Sequence, residues 1–211
     1  GQPGHPRGVR AGAAAEMTLH LIRHGQTLAN QKRLYCGKTD LPLTEDGLQA
    51  IKTLAAQDIY PDLEGLAVYT SGLLRTRQTL EAIYGPVPHD ILPGFQEMDF
   101  GAFEMKSYEQ LKNNPDYIAW IEDPSGQVPC PGGDSAESFS HRVFSAFESL
   151  KKKNSSALVI CHGGVIAKLM QHLFPQEPRH FYQWQPKPGE GYTLSLAKEN
   201  VSCFLKISPE K

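Results

Sequence analysis

The chain has 211 residues and a formal net charge of -2 at pH 7, with 40% hydrophobic and 21% charged residues. This length and composition suit one globular α/β domain and exclude a disordered or fibrous chain. The near-neutral charge offers no basic surface for nucleic acid or an acidic membrane, and no apolar run reaches the length of about 18 residues that spans a bilayer, so we expect neither partner.

The segment before Met17 differs from the rest of the chain. Residues 1–16 mix Gly, Pro, Arg and Ala without the apolar core of a signal peptide, and we expect an expression leader there. Residues 17–211 are expected to form a single domain. The cysteines form no Cys-x-x-Cys pair and are too few for a disulfide framework, which indicates a reducing compartment, the cytoplasm. They are Cys36, Cys130, Cys161 and Cys203.

The first part of the chain alternates predicted strands and helices. The apolar run Met17–Ile22 predicts the first strand. Thr44 is expected to cap the first helix, because a side-chain oxygen at that position can accept from the N–H groups of the first turn. Residues 65–70 predict a second strand, after which Ser71 is expected to cap a helix that ends near Tyr84.

Residues 87–133 have an irregular pattern, with Pro and Gly at short intervals, and we expect them to form a cap over the site. Short helices are predicted over 107–112 and 115–121. The aromatic side chains of this insertion have two interpretations that both stay open: they line a substrate pocket on which a planar base stacks, or they fill the core of the cap. They are Phe103, Tyr108, Tyr117 and Trp120.

The remaining sequence predicts a long helix followed by further strands. Asp134 is expected to cap this helix, with Glu137 three residues later in a capping box. Apolar residues recur at helical spacing and are expected in the core: Phe139, Val143, Phe147 and Leu150. A strand over 157–161, a helix over 164–173 and strands over 191–197 and 202–207 complete the pattern. The fold class is therefore α/β, with a mostly parallel central sheet, helices on both faces and the cap insertion.

Two strands of this pattern are followed directly by a histidine and a glycine. Arg23-His24-Gly25 follows the first strand, and Cys161-His162-Gly163-Gly164 follows the strand over 157–161. If these strands are parallel neighbours, both imidazoles lie at the edge of the sheet where α/β proteins bind ligands. Arg23 adds a planar cation that matches a phosphate, so the pair indicates phosphoryl transfer with imidazole as nucleophile. A metal site is not expected, because the arginines would repel a cation.

Several motifs together carry a family resemblance. They are, in order, Leu21-Ile22-Arg23-His24-Gly25-Gln26-Thr27 with Asn30, Gly37-Lys38-Thr39-Asp40-Leu41-Pro42-Leu43-Thr44, Ser71-Gly72-Leu73-Leu74-Arg75-Thr76-Arg77-Gln78-Thr79, Glu97-Met98-Asp99-Phe100-Gly101 and Cys161-His162-Gly163-Gly164. From about Met17 onward the chain resembles the histidine phosphatase superfamily, also called the phosphoglycerate-mutase-like family. It departs from the family at Phe103-Glu104-Met105, where many members have Trp-Glu-Gly, which affects the lip of the pocket.

The resemblance implies a set of roles at the predicted site. His24 is the nucleophile, Arg23 and Arg75 bind the phosphate, His162 stabilises the transferring phosphoryl group, and Glu97 is the proton donor. Glu104 and Asp99 are the rival acids. The expected substrate-binding groups are Arg23, Asn30, Gly37, Arg75 and Gly163. A backbone carbonyl must accept from the second ring nitrogen of His24 to fix its tautomer, but the sequence does not identify it. No metal and no cofactor are expected.

The spacing between Glu97 and His162 is short, as in the phosphatase branch of this family, and within that branch the resemblance is to the α-ribazole phosphatases of cobalamin synthesis. A metal-independent phosphomonoesterase acting on a small phosphate ester, with α-ribazole 5'-phosphate as first candidate, is therefore expected. The alternatives are a cofactor-dependent phosphoglycerate mutase, a broad-specificity phosphatase or fructose-2,6-bisphosphatase, and a non-catalytic phosphoprotein-binding module. The oligomeric state stays open, with a homodimer as one option.

Overall fold

The computed structural model describes residues 17–153, 156–197 and 201–210, so the expected leader over 1–16 lies outside the described residues. Its centre is a six-stranded sheet in the order β3-β2-β4-β1-β5-β6. The strands are β1 (Met17–Arg23), β2 (Ala67–Thr70), β3 (Asp90–Ile91), β4 (Ala157–Cys161), β5 (Gly191–Leu196) and β6 (Val201–Ile207). The first four in this order are parallel, and β5 and β6 are antiparallel. The predicted mostly parallel sheet is confirmed.

Helices connect these strands. They are α1 (Leu28–Lys32), α2 (Glu45–Ala56), α3 (Leu74–Tyr84), α4 (Tyr108–Leu111), α5 (Pro115–Ile121), α6 (Ala136–Lys152), α7 (Gly163–Leu173) and α8 (Phe181–Trp184), with short 3-10 turns at Pro93–Phe95 and Gly101–Phe103. Within the described ranges, no helix is long and apolar enough to cross a membrane.

The sheet is covered on both faces. All five residues of β4 are buried, as expected for a central parallel strand that packs against helices on each side. One cluster of apolar side chains joins Val159 to the core residues of α6 and α7. The other cluster joins Leu158 and Ile160 to Leu80 of α3. The expected core residues of the long helix are all buried: Phe139, Val143, Phe147 and Leu150.

The pairing of β1 with β4 positions the two histidine motifs. These strands are parallel, with Arg23 opposite Cys161. The next residue on each strand is therefore a histidine at the same edge of the sheet. The sequence reasoning that places both imidazoles there is confirmed by this register.

Helix capping agrees with the sequence in one case and differs in two. The Thr44 side chain accepts from Gly47 N–H and caps α2, as predicted. Ser71 does not cap α3, which begins after Leu73 without a side-chain cap. Asp134 does not cap α6 either, because Ser135 takes this position in a capping box with Ser138. Both cap predictions fail for the same reason, because each side chain has a partner far along the chain. Ser71 Oγ contacts His162, and Asp134 Oδ2 accepts from Asp99 N–H.

The second strand starts at Ala67, two residues later than predicted. Gly65 has a φ of +75° and Leu66 N–H bonds back to Leu63, so these residues form a turn rather than a strand. The left-handed conformation at Gly65 is one that side chains rarely adopt.

The segment over 87–133, where we expected a cap, contains the two predicted helices, and its aromatic side chains pack mainly on one another. Phe103 and Tyr117 are 1% and 2% exposed, and both contact the Trp120 ring. Tyr108 is exposed but lies against Tyr117. Of the two open interpretations, the structure therefore favours a cap core over a stacking platform.

Candidate active site

The two motif histidines lie side by side at the edge of the sheet. Their ring centroids are 5.2 Å apart at an interplanar angle of 63°. The backbone N–H of His24 donates to Cys161 O at 3.0 Å, which ties the end of β1 to the residue before His162. His24 is 6% exposed and His162 is fully buried. Both imidazoles are therefore held by the backbone at the strand ends and shielded from solvent.

The His24 ring has a defined tautomer. Its Nδ1 lies 2.6 Å from the carbonyl oxygen of Gly25. A carbonyl only accepts, so Nδ1 carries the proton and Nε2 presents a lone pair. Burial, then Arg75, then Arg23 hold the His24 pKa well below its ordinary value. The carbonyl that the sequence did not identify is therefore that of the next residue, and the ring is neutral at physiological pH.

Gly25 is closely packed, and a side chain at this position would require Ile51 to move. A Cβ at this position would lie 2.8 Å from Cγ1 of Ile51. Its N–H donates to Thr79 Oγ1 at 2.9 Å, and that hydroxyl donates to Arg75 O at 2.8 Å. Gly25, whose carbonyl accepts from His24, is thus hydrogen-bonded to α3 beside Arg75.

The Arg75 guanidinium is almost fully buried, and carbonyl groups of the loop over 37–39 accept hydrogen bonds from it. Its Nη1 donates to Thr39 O at 2.8 Å and its Nη2 to Gly37 O at 2.7 Å. Arg23 donates from Nη1 to Pro186 O at 2.8 Å, while its Nε is buried without a partner among the described residues. Backbone carbonyls, which are neutral, therefore orient both cations and leave their positive charge uncompensated.

Glu104, one of the rival acids, is engaged by that same loop. Its carboxylate accepts from Gly37 N–H at 3.0 Å, Lys38 N–H at 2.6 Å and Thr39 Oγ1 at 3.1 Å. Both backbone groups of Gly37 consequently have partners, Glu104 for the N–H and Arg75 for the carbonyl. The Gly37 carbonyl thus helps to hold Arg75, and the expectation that Gly37 binds substrate stays a prediction.

Glu97 lies in the loop over 97–101, and its carboxyl group contacts the start of α7. Its Oε1 accepts from Met98 N–H and its Oε2 from Gly164 N–H, both at 3.0 Å. Burial raises the pKa of Glu97, against the opposing effect of these N–H groups and of the two arginines. The carboxyl is therefore protonated up to a higher pH than an ordinary glutamate. Asp99, the other rival, accepts from Gly101 N–H at 2.9 Å within its own turn.

Arg142 on α6 is a part of the site that sequence reasoning missed. It donates to the carbonyls of Gly94, Gln96 and Glu97 at 3.1, 2.8 and 3.2 Å. It also pairs with Asp134 Oδ2 at 3.1 Å. These contacts hold the backbone on which the Glu97 side chain stands. No local motif marks such an arginine, because the three carbonyls that it binds lie 45–48 residues away along the chain.

His162 has one ring nitrogen bonded and one without a partner. Its Nε2 lies 2.8 Å from Ser71 Oγ. Its Nδ1 is buried and has no hydrogen-bond partner among the described residues. Burial, then His24 and the arginines Arg75 and Arg23, hold the pKa of His162 well below its ordinary value. His162 is therefore a neutral imidazole beside the His24 ring, with one ring nitrogen that has no partner among the described residues.

The two remaining residues that were predicted to bind substrate are Asn30 and Gly163. Asn30 uses its backbone N–H and its side-chain oxygen to cap α1 with Thr27, so only its side-chain NH2 is left. Gly163 begins α7. A Cβ there would lie 2.5 Å from Nε2 of Gln185 and 3.0 Å from Nε of Arg23. Gln185 thus belongs to this part of the site, although nothing in its sequence context indicates it.

Within the described part of the chain, no group of three or more His, Cys, Asp or Glu side chains could hold a metal ion.

Cys161 is buried at the strand end, and burial raises the pKa of its thiol, so it packs as a small apolar residue.

Comparison with known proteins identifies relatives of this site. The family model of the histidine phosphatase superfamily (branch 1) matches residues 19–204. An adenosylcobalamin/alpha-ribazole phosphatase of Escherichia coli is 34% identical over 182 residues, which cover 82% of this chain and 87% of the relative.

Solved structures agree with this assignment. The α-ribazole phosphatase of Shigella flexneri superposes with a TM-score of 0.79 at 27% identity, covering 91% of this chain and 96% of the other. A phosphoglycerate mutase of Thermus thermophilus superposes with a TM-score of 0.67 at 31% identity, covering 90% and 98%.

Proposed function

The chain belongs to the histidine phosphatase superfamily and is a phosphatase, and we propose that it hydrolyses a small phosphomonoester through a phosphorylated His24. The observation that carries this mechanism is the hydrogen bond from His24 Nδ1–H to Gly25 O at 2.6 Å. It leaves the Nε2 lone pair free in a pocket whose arginines keep the ring unprotonated. A neutral, oriented imidazole beside two cations is suited to attack a phosphate dianion.

In the first step, Nε2 of His24 attacks phosphorus and the bond to the ester oxygen breaks. The leaving oxygen takes the proton of Glu97, whose pKa is raised by burial. The phosphorylated ring gains a positive charge, and its Nδ1–H stays bonded to the Gly25 carbonyl. Arg23, Arg75 and His162 stabilise the negative charge on the transferring group, with Gly163 N–H and the Asn30 amide as further donors.

In the second step, water attacks the phosphorus. It gives a proton to the Glu97 carboxylate, the P–N bond breaks, and inorganic phosphate leaves. Glu97 is again protonated and His24 again neutral, so the cycle closes. The arginines supply the positive charge that a divalent metal supplies in other phosphoryl-transfer enzymes.

The substrate is proposed to be a small phosphorylated metabolite in the cytoplasm. α-Ribazole 5'-phosphate is the first candidate, because relatives that align with most of this chain carry that name. Phe103 and Tyr117 are buried and offer no surface on which the base of this substrate could stack. The proposal of α-ribazole 5'-phosphate therefore depends on the relatives alone. The free state of all four cysteines supports the location. Nucleic acid and membranes are not proposed as partners.

The test begins with trapping the intermediate. After rapid quench of the enzyme with labelled substrate, acid-labile phosphate should be found on His24 by mass spectrometry. His24→Ala should reduce turnover to background, whereas His172→Ala, which changes an exposed histidine on α7, should not. Label on a serine, cysteine or aspartate would overturn the mechanism.

A substrate panel then separates the alternatives. kcat/KM is compared for α-ribazole 5'-phosphate, ribose 5-phosphate, fructose 2,6-bisphosphate and 3-phosphoglycerate. Hydrolysis of ribose 5-phosphate at the same efficiency would indicate a broad-specificity phosphatase. Isomerisation of 3-phosphoglycerate would indicate a mutase, and absence of any turnover would leave a binding module.

A further inference from the structure

Ser71 does not cap α3, and its side chain contacts His162 instead. It follows β2 directly and is fully buried. Its Oγ lies 2.8 Å from Nε2 of His162, and its carbonyl accepts from Gln96 Nε2 at 3.1 Å. The only other ring nitrogen of His162, Nδ1, is buried without a partner among the described residues. The direction of the serine–histidine hydrogen bond therefore decides whether Nδ1 is a donor or an acceptor.

The neighbouring groups determine this direction. Thr76 Oγ1 lies 2.7 Å from Leu73 O, which can only accept, so the Thr76 proton is used there. Ser71 Oγ lies 3.3 Å from that threonine oxygen, and it also accepts from Leu73 N–H at 3.4 Å. The single Ser71 proton thus has two possible acceptors, Thr76 Oγ1 at 3.3 Å and His162 Nε2 at 2.8 Å. Only the 2.8 Å contact lies within the range of roughly 2.5–3.0 Å that is usual for a hydroxyl donor. If His162 donated to Ser71 instead, the buried Ser71 proton would have only Thr76 Oγ1 at 3.3 Å as acceptor, so Ser71 is assigned as the donor to His162.

We propose that Ser71 is a positioning residue that holds His162 in the Nδ1–H tautomer, so that Nδ1–H donates to the phosphoryl group transferred by His24. In the opposite tautomer, Nδ1 would direct a lone pair at the phosphate oxygens and repel them. The tautomer matters because the ring is neutral, as its burial between cations requires. This inference rests on the proposed phosphatase mechanism, which it deepens by assigning the orientation of its second histidine.

The first test reads the tautomer without any substrate. Long-range 1H–15N NMR of the imidazoles distinguishes a protonated Nδ1 from a protonated Nε2. In the unmodified protein we expect His162 to be protonated at Nδ1. Ser71→Ala should shift the ring toward the Nε2–H form, whereas Thr76→Val, which removes the adjacent hydroxyl, should leave it unchanged. An Nε2–H tautomer in the unmodified protein, or no change in Ser71→Ala, would overturn the proposal.

The second test measures turnover. Removing a donor that stabilises transition-state charge typically lowers kcat by about a hundred- to a thousand-fold. Ser71→Ala leaves the ring in place with the correct tautomer partly populated, so we expect a smaller fall in kcat, roughly ten- to a hundred-fold, with KM changed by less than about three-fold. Thr76→Val should stay within about three-fold of the unmodified enzyme in both constants.

A double-mutant cycle separates an effect through His162 from a general structural one. In a His162→Ala background, Ser71→Ala should have no further effect on kcat, because the ring it orients is already gone. Independent, multiplying losses would contradict the proposal. If the unmodified protein has no phosphatase activity, the proposed function fails, while the NMR comparison still decides the role of Ser71.

Discussion

The proton donor can be identified by replacing Glu97 with Gln and comparing two leaving groups. An alkyl phosphate needs its leaving oxygen protonated, whereas p-nitrophenolate hardly does. General acid catalysis contributes about a hundred- to ten-thousand-fold, and we expect a loss in this range for the alkyl substrate.

The expected fall in kcat/KM for p-nitrophenyl phosphate follows from the hydrogen bonds of Glu97. Its two oxygens accept from Met98 N–H and Gly164 N–H. A glutamine keeps one acceptor but opposes the other N–H with its own NH2 group. One lost hydrogen bond is worth about 0.5–1.5 kcal/mol, which corresponds to roughly a two- to twelve-fold fall. The loss for the alkyl phosphate is therefore expected to be at least about eight times the loss for p-nitrophenyl phosphate.

The assay is kcat/KM for both substrates as a function of pH. Because burial raises the pKa of Glu97, the alkyl-phosphate rate should fall as the pH rises through that pKa, and Glu97→Gln should abolish this limb. Glu109→Gln, at an exposed glutamate on α4, is the matched control and should change neither rate. Equal losses on both substrates would refute the assignment. If Glu104→Gln, and not Glu97→Gln, lowers kcat/KM much more for the alkyl phosphate than for p-nitrophenyl phosphate, Glu104 is the acid.

The remaining predictions concern stability, loop position and metal dependence. His24 and His162 have lowered pKa values in the folded state, so the unfolded chain binds more protons as the pH falls below about 6.5. The free energy of unfolding, measured by urea titration, should therefore decrease by up to about 1.4 kcal/mol per pH unit for each histidine, and His24→Asn should reduce this slope. Arg142→Lys should lower kcat/KM by about ten- to a hundred-fold through displacement of the Glu97 backbone, while Arg77→Lys at an exposed site should not. Activity should survive EDTA dialysis and be inhibited by vanadate, and rescue of a dialysed enzyme by a divalent ion would contradict this.

The sequence predicted the parts of the site that depend on strand ends. β1 and β4 are short apolar runs, and each is followed directly by a histidine, so parallel pairing alone brings His24 and His162 together. Helix α2 was equally predictable, because the Thr44 side chain caps it by accepting from Gly47 N–H in its own first turn. In these cases, the determining contacts lie within a few residues along the chain or follow from the parallel sheet.

What the sequence could not predict depends on contacts between distant residues. Ser71 and Asp134 both have the chemistry of a helix cap, and propensity alone cannot tell that Ser71 contacts His162 and that Asp134 accepts from Asp99 N–H. Arg142 reaches carbonyls that no sequence pattern marks as acceptors. The burial of Phe103 and Tyr117 likewise depends on how the cap folds on itself.

The charge arrangement explains why this pocket suits a dianion. Arg75 and Arg23 are held mainly by carbonyl oxygens, which orient a guanidinium without neutralising it. The carboxylate of Glu104 is occupied by backbone N–H groups on the loop that supports Arg75. Burial raises the pKa of Glu97, which disfavours a negative charge beside the arginines. Had either arginine been paired with a carboxylate, the substrate phosphate would have to displace that partner before binding. The pocket therefore keeps its positive charge for the phosphoryl group, and its preorganisation comes from backbone dipoles rather than ion pairs.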